Sequence, residues 1–336
     1  ARNTAFAHCR APLVLIINDD AVPSPGLFAG HVAVHAERAA RGEEPAAVLG
    51  TFRFTEEARR HPFVQVLEDS DLLFDFPGLK HGELHPWTFF WTCNISLPLA
   101  ALKRAGGFDA VLFREAIVED VELGYRLERL GWQVLHRADL ECEHDHVIDC
   151  AAYFRRMVRL GVNLARMHAK HGDPRILWRP DGAAIDEHYF HTVQSTVEAF
   201  YPPLVKFLDK MAALEASHAP GEPLAPALLE QLRTLTRRLG LVSFYRGVLT
   251  EVTGHDPEPA LVGEPAGGRL VSVVAVSHQN LDATRRCLAA LRAADDPRHP
   301  TELVFVDNGS TDGTAEFLAA QDDVELIAND TNRGAP

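Results

Sequence analysis

Four groups of residues have the types and spacing to do chemistry. The first is Asn18-Asp19-Asp20, which ends the apolar run Leu13–Ile17. Adjacent carboxylates at a strand tip repel one another and cost desolvation energy. A divalent cation relieves both costs, because hard cations take carboxylate oxygens; the plainer alternative is an acidic turn. The second is Glu119-Asp120, at the start of the amphipathic pattern that runs to Leu130. Two acids there suit the helix dipole, and they are also placed to face a cleft. The third is Glu141-Cys-Glu-His144-Asp-His146, whose alternation of acid and imidazole can bind metal. The fourth is a pair of polar tips, Ser277-His-Gln-Asn280 and Asp307-Asn308-Gly-Ser-Thr-Asp-Gly313, each following an apolar run.

The elements that must hold these groups can be read from hydrophobic period. Leu13–Ile17 is expected to be a strand buried on both faces. Helices are expected over 1–10, Gly26–Arg41, Pro98–Arg104 and Glu119–Leu130, with strands at Val48–Phe54, Thr92–Leu97 and Trp132–His136. Gly106-Gly107 and Gly131 end their helices. Residues 55–91 are irregular and aromatic, which fits a packed core or an acceptor cleft. Asn94-Ile-Ser96 has the form of a glycosylation sequon but sits in an expected buried strand, so that reading is rejected. Residues 149–254 are helical, with the middle helix expected to break at Tyr201-Pro202-Pro203. Residues 255–269, rich in Pro and Gly, read as a linker. Beyond it, strand, helix, strand, helix, strand opens a doubly wound parallel sheet, with its polar tips where such sheets bind nucleotides.

Composition narrows the field. A 336-residue chain supports two or three domains and a full core. The net charge of −14 argues against a nucleic-acid partner and against an anionic membrane surface. Five scattered Cys without a CxxC pair exclude a disulfide framework and point to a reducing, cytoplasmic location. No apolar run reaches the length of a membrane span and no signal peptide is apparent.

Residues 270–336, with Val-Ser-Val-Val, Asn280 and Val306-Asp-Asn-Gly-Ser-Thr-Asp-Gly-Thr314, resemble the nucleotide-binding half of a family 2 (GT-A type) glycosyltransferase. Residues 1–148 resemble the acceptor and metal half. The carriers are Ala1-Arg2-Asn3, Asn18-Asp19-Asp20 as a form of the DXD motif, Asn94-Ile-Ser96, Gly106-Gly-Phe-Asp109 and Glu119-Asp120-Val-Glu-Leu. The fold class expected is therefore α/β, a GT-A Rossmann-like doubly wound sheet with an added helical segment. The family runs nucleotide half first, whereas here it comes last. Either circular permutation or excision from a tandem protein accounts for this, since Asn332–Pro336 followed by Ala1-Arg2-Asn3 reads as one family segment. On both accounts residues 270–336 are expected to pack against residues 1–147, within one chain or by exchange of halves between copies.

The resemblance implies inverting transfer of a sugar from a nucleotide-diphosphate sugar, UDP-sugars first, to a hydroxyl of a glycan or other acceptor. Asp307 would hold the base and ribose, with Ser277, Asn280 and Asn308. Asp20 would bind Mn²⁺ or Mg²⁺, supported by Asn18 and Asp19 and completed by His144 or His146; Arg2 would add positive charge at the diphosphate. Asp120 is the expected base, with Glu119 raising its pKa. Gln279 stands where many members carry an aromatic that stacks on the base, which puts base preference in question. Peripheral membrane association is compatible with this class of enzyme. Two other readings compete: a non-catalytic nucleotide-sugar-binding fragment of a larger tandem enzyme, and a sugar nucleotidyltransferase. The latter lacks its Gly-rich basic loop after Val276.

Overall fold

The computed structural model describes residues 2–177, 185–257, 271–293 and 301–331. The expected linker falls mostly outside these residues, as does the expected join of Asn332–Pro336 to Ala1. The chain divides into two compact units, Ala1–Leu261 and Val262–Pro336.

The first unit opens with helix α1 (Arg2–His8), strand β1 (Leu13–Ile17), strand β2 (Ala21–Pro23) and helix α2 (Leu27–Ala40). Strand β3 (Ala46–Phe54), helix α3 (Pro62–Leu67), the short β4 (Leu84–His85), β5 (Asn94–Pro98) and helix α4 (Leu99–Arg104) follow. Helix α5 (Glu119–Glu128) leads into the long strand β6 (Gln133–His144). The sheet runs β1-β5-β3-β6-β2, with β4 also on β6. It is mixed rather than wholly parallel: β3 and β6 run parallel, and the remaining pairs are antiparallel.

β1 corrects one expectation. Its burial alternates, with only Val14 and Ile16 buried, because it lies at one end of this sheet rather than inside it. A continuous apolar run does not distinguish a central strand from an end strand that covers a helix.

β6 corrects another. It was expected to stop at His136, yet it continues to His144 through a large irregularity. Gly50 pairs with Arg137, but the next residue, Thr51, pairs with Glu141, so three residues of β6 have no partner on β3. The carboxamide of Asn94 fills the gap, donating to the Thr51 carbonyl at 3.1 Å and to the Leu140 carbonyl at 2.9 Å. Its oxygen meets His31 Nε2 at 3.0 Å, and Ser96 Oγ meets His31 Nδ1 at 2.8 Å. Both Asn94 and Ser96 are fully buried, so the sequon-like triplet is structural. Burial pushes the His31 imidazole down to about 4, which leaves it a neutral hydrogen-bonding link. An odd insertion exchanges the faces of everything after it, and this one sets the face on which His144 stands. A methyl at Gly50 would land on Asn94 Nδ2 and the Leu140 carbonyl. We therefore expect Gly50→Ala to cost about 1–3 kcal/mol in urea unfolding, from overpacking; an unchanged midpoint would count against this account of the bulge.

Three long helices complete the unit: α6 (Cys150–His171), α7 (Glu187–Ser217) and α8 (Pro226–Thr253). α7 runs unbroken through Pro202 and Pro203, contrary to the expected break. Its buried stripe of Val193, Val197, Tyr201, Leu204, Phe207 and Met211 stays in helical register across them. Burying that face outweighs the two hydrogen bonds the prolines remove. α6 and α8 cross backbone to backbone at two glycines. A methyl on Gly161 would strike the Phe244 carbonyl, and one on Gly247 would strike the Val158 carbonyl. α6 is tied to α5 by Glu122, which has no exposed surface and accepts from Arg126, Lys170 and His171.

The second unit is a βαβαβ segment: β7 (Val271–Ser277), helix α9 (Leu281–Ala293), β8 (Thr301–Asp307), helix α10 (Thr314–Ala319) and β9 (Val324–Ala328). Its strands form a parallel sheet in the order β7-β8-β9 over a core of Leu288, Leu303, Phe305 and Leu318. This is the alternation expected from the sequence.

Candidate active site

The acidic tip and the end of β6 meet. β2 begins at Ala21, which pairs with His144, and the Asp145 N–H donates to the Asp20 carbonyl at 2.9 Å. His144 Nε2 lies 3.1 Å from Asp20 Oδ2, and His146 Nδ1 lies 3.7 Å from the same oxygen. One ligand atom from each of the three residues lies within 4.8 Å of the others. The second oxygen of Asp20 is buried and, among the described residues, has no hydrogen-bond partner. A buried carboxylate oxygen without a donor is costly unless something positive comes to it. His144 stacks on Phe52 and Phe54 at 4.5 and 5.3 Å, and burial holds its imidazole below the usual histidine range. A neutral imidazole keeps a lone pair free for a metal. These three residues thus fit a divalent ion. Asn18 is half-buried and Asp19 is exposed; both share the tip but stand outside the group of three.

The second acidic pair is held by strain and by β5. Val118, a buried β-branched residue, sits at φ 77°, a left-handed conformation such residues rarely adopt. It turns the chain so that α5 starts at Glu119 and Asp120. Asp120 accepts from the Thr92 amide at 3.2 Å and, through its other oxygen, from the Val121 amide at 2.8 Å. Burial raises its pKa, and these hydrogen bonds oppose the rise. Glu119 takes the Arg2 guanidinium at 2.6 Å, and its other oxygen is buried without a partner among the described residues. Burial first, then the charge of Asp120, push the Glu119 carboxyl up to about 7. Arg2, expected at a diphosphate, is thus the counterion of Glu119.

Asp120 opens onto a cavity of about 440 Å³. Its walls include Trp87, Phe89 and Trp91 from the aromatic stretch, and Tyr153, Arg156 and Arg237 from the helices. The aromatic region is thus partly core and partly cavity wall: Phe63, Trp87 and Phe90 are buried, while Trp87 and the half-buried Phe89 and Trp91 line the cavity. Sequence reasoning missed Arg156. The available signal was a cation inside the apolar stripe Tyr153, Met157, Leu160, Leu164 of α6. Among the described residues Arg156 makes no hydrogen bond or ion pair; burial lowers its affinity for its proton, and the nearby Asp120 opposes that.

The pKa of Glu119 has a sign that can be tested. Its folded value lies above its ordinary value of 4.5, so the folded state takes up a proton as pH falls from about 7 towards 4.5. Its contribution to stability is then present below pH 4.5 and lost as pH rises to about 7. Glu119→Gln removes that loss. The stability of the variant relative to the native protein should rise across this window, by on the order of 2–3 kcal/mol. Parallel melting curves with pH would contradict it.

In the second unit the expected residues converge at the strand tips. Asp307 is 1% exposed, and its carboxylate accepts from Ser277 Oγ at 3.2 Å and from the Ser310 amide at 2.8 Å. The Asn308 amide donates to the Ser277 carbonyl at 2.8 Å. Asn280 is exposed, and its side chain caps α9 through the Ala283 amide at 3.1 Å. Asp307 therefore holds the two loops together, and Asn280 and Gln279 form the outer surface.

Comparison with known proteins adds a family match. Residues 272–336 match the family model "Glycosyl transferase family 2". Two curated relatives, the validoxylamine A glucosyltransferases of Streptomyces hygroscopicus subsp. jinggangensis (strain 5008) and subsp. limoneus, are each 31% identical over 153 residues, 39% of this chain. The chain spans about a third of their length, 35% and 32% respectively. A solved structure, the mannosyltransferase PcManGT from Pyrobaculum calidifontis in complex with GDP-Man and Mn²⁺, is similar over 74% of this chain and 65% of its own. The identity there is 15% and the TM-score 0.40.

Proposed function

We propose that this chain carries out glycosyl transfer from a nucleotide-diphosphate sugar to an acceptor hydroxyl, with inversion at the anomeric carbon. The observation that carries the reaction class is the family 2 match over residues 272–336. The observation that supports chemistry in the first unit is a raised-pKa carboxylate, Asp120, opening onto an aromatic cavity. A carboxylate whose pKa is raised above its ordinary range is the stronger proton acceptor, which suits general-base work.

Each group has a task. The tips after β7 and β8, with Ser277, Asn280, Asp307 and Asn308, receive the nucleotide. Asp20, His144 and His146 hold the ion, with Asn18 and Asp19 beside them. When bound, a divalent ion there would neutralise the departing diphosphate as a Lewis acid. One carboxylate with two imidazoles is softer than Mg²⁺ prefers, so Mn²⁺ is the better fit of the two. Asp120 takes the proton of the acceptor hydroxyl as its oxygen bonds to the anomeric carbon and the bond to the diphosphate oxygen breaks. Glu119, neutralised by Arg2 or by its own proton, keeps the base from facing a full second charge.

The test is release of nucleoside diphosphate from a panel of nucleotide sugars, UDP-sugars first, with and without Mn²⁺. Turnover that depends on Mn²⁺ and on Asp120 supports the reading; nucleotide binding without turnover, for every donor and acceptor tried, supports a binding module. A further expectation concerns Asp307: Asp307→Ala should weaken nucleotide binding at least tenfold by releasing both loops, about 1.4 kcal/mol. Unchanged affinity by calorimetry would remove these tips from the assignment.

A further inference from the structure

We infer that the groove between α7 and α8 docks the protein on an anionic lipid surface. The groove encloses about 700 Å³. Phe200, Leu235 and Leu241 line it and remain 52%, 43% and 41% exposed. Exposed large apolar side chains gathered on one face mark an interaction surface. Lys206, Lys210 and Arg238 also line it, all exposed and without an ion pair among the described residues. Among the described residues no acidic side chain lines the groove; Glu198 and Asp209, the acids of that stretch of α7, are not part of it.

The combination selects the occupant. The whole chain carries a net charge of −14, which a negative surface repels. A face that gathers three cations and no acid reverses that charge locally. The long stems of lysine and arginine lie along apolar surface while their charged ends reach headgroups. Apolar side chains between them then enter the acyl boundary, as in helices that lie in the membrane interface. An acidic protein partner would meet the same cations, but the apolar floor would leave its polar groups without partners, since among the described residues only Thr196 and Tyr245 offer hydroxyls there. No described helix is long and apolar enough to cross a membrane, so contact is confined to the interface.

The experiment is flotation of the full chain with vesicles of phosphatidylcholine, with and without phosphatidylglycerol. Binding is expected only with phosphatidylglycerol, and it should weaken steeply with salt. Each cation near such a surface is worth about fivefold, so the triple variant Lys206→Glu, Lys210→Glu, Arg238→Glu should lose about a hundredfold or more in partition. Phe200→Ser should weaken the salt-resistant part of binding; circular dichroism should show both variants folded. Equal partition of native and triple-variant protein overturns the inference, as does equal binding to neutral vesicles. A concentration-dependent dimer abolished by Phe200→Ser, without vesicle binding, overturns it in favour of a second copy of the chain. None of these outcomes depends on sugar transfer.

Discussion

Asp120→Asn should lower the rate of transfer by about a thousandfold while leaving Mn²⁺ and nucleotide affinity within about twofold, the range general-base loss commonly spans being 10²–10⁴. Asn has nearly the shape of Asp, and its carbonyl can still accept from the Thr92 amide that anchors Asp120 at 3.2 Å. What it cannot do is take a proton. Glu119 is a poor substitute, because one of its oxygens is held by Arg2 at 2.6 Å and the residue is 8% exposed. The pH profile should change as well. On the proposed mechanism the acidic limb should report the Asp120–Glu119 pair, whose carboxyls both sit above their ordinary range, and the rate should rise towards neutral pH. In Asp120→Asn the residual rate should lose that limb. A variant with full activity, or one that keeps the limb unchanged, would remove Asp120 from the role of base.

Asp20→Ala should weaken Mn²⁺ binding by about a hundredfold or more, beyond the 10–100-fold typical of losing a supporting residue. Asp20 is the sole carboxylate in the three-residue group, and two neutral imidazoles without it suit Mn²⁺ poorly. The fold should survive, because the β6 contact at this point is made by the Asp20 main-chain carbonyl. His144 should also titrate differently. Its partner at 3.1 Å raises its pKa while burial lowers it, so removing Asp20 should lower it further. Mn²⁺ titration followed by electron paramagnetic resonance measures the first effect, and the histidine resonances measure the second. Undiminished Mn²⁺ affinity would place the ion elsewhere.

How much of this was legible in the sequence differs between the two units. In the second, period and punctuation sufficed: two apolar runs end in polar tips, and the structure pairs Ser277 with Asp307 across the tips. Local sequence carries that pattern because βαβ units are built from near neighbours. In the first, the chemical groups were readable but their surroundings were not. Asp20 and His144 are far apart in sequence, and what joins them is the three-residue irregularity in β6 held by Asn94. Nothing local announces a bulge that depends on a buried carboxamide from a third strand. Pro202 and Pro203 read as a break because local propensity says so, yet the buried face of α7 overrides it. The resemblance implies Arg2 at the diphosphate, and its pairing with Glu119 at 2.6 Å is a contact that no local pattern announces. An unpaired cation and an unpaired acid look alike in sequence whether they meet each other or a substrate.

The most direct test is calorimetric titration of a UDP-sugar, then other nucleotide-diphosphate sugars, into the native chain and into Asp20→Ala, each with and without Mn²⁺. The account predicts that Mn²⁺ tightens donor binding at least tenfold in the native chain, about 1.4 kcal/mol, and not in Asp20→Ala. Tightening of equal size in both proteins, or no binding of any donor to the native chain, would contradict it.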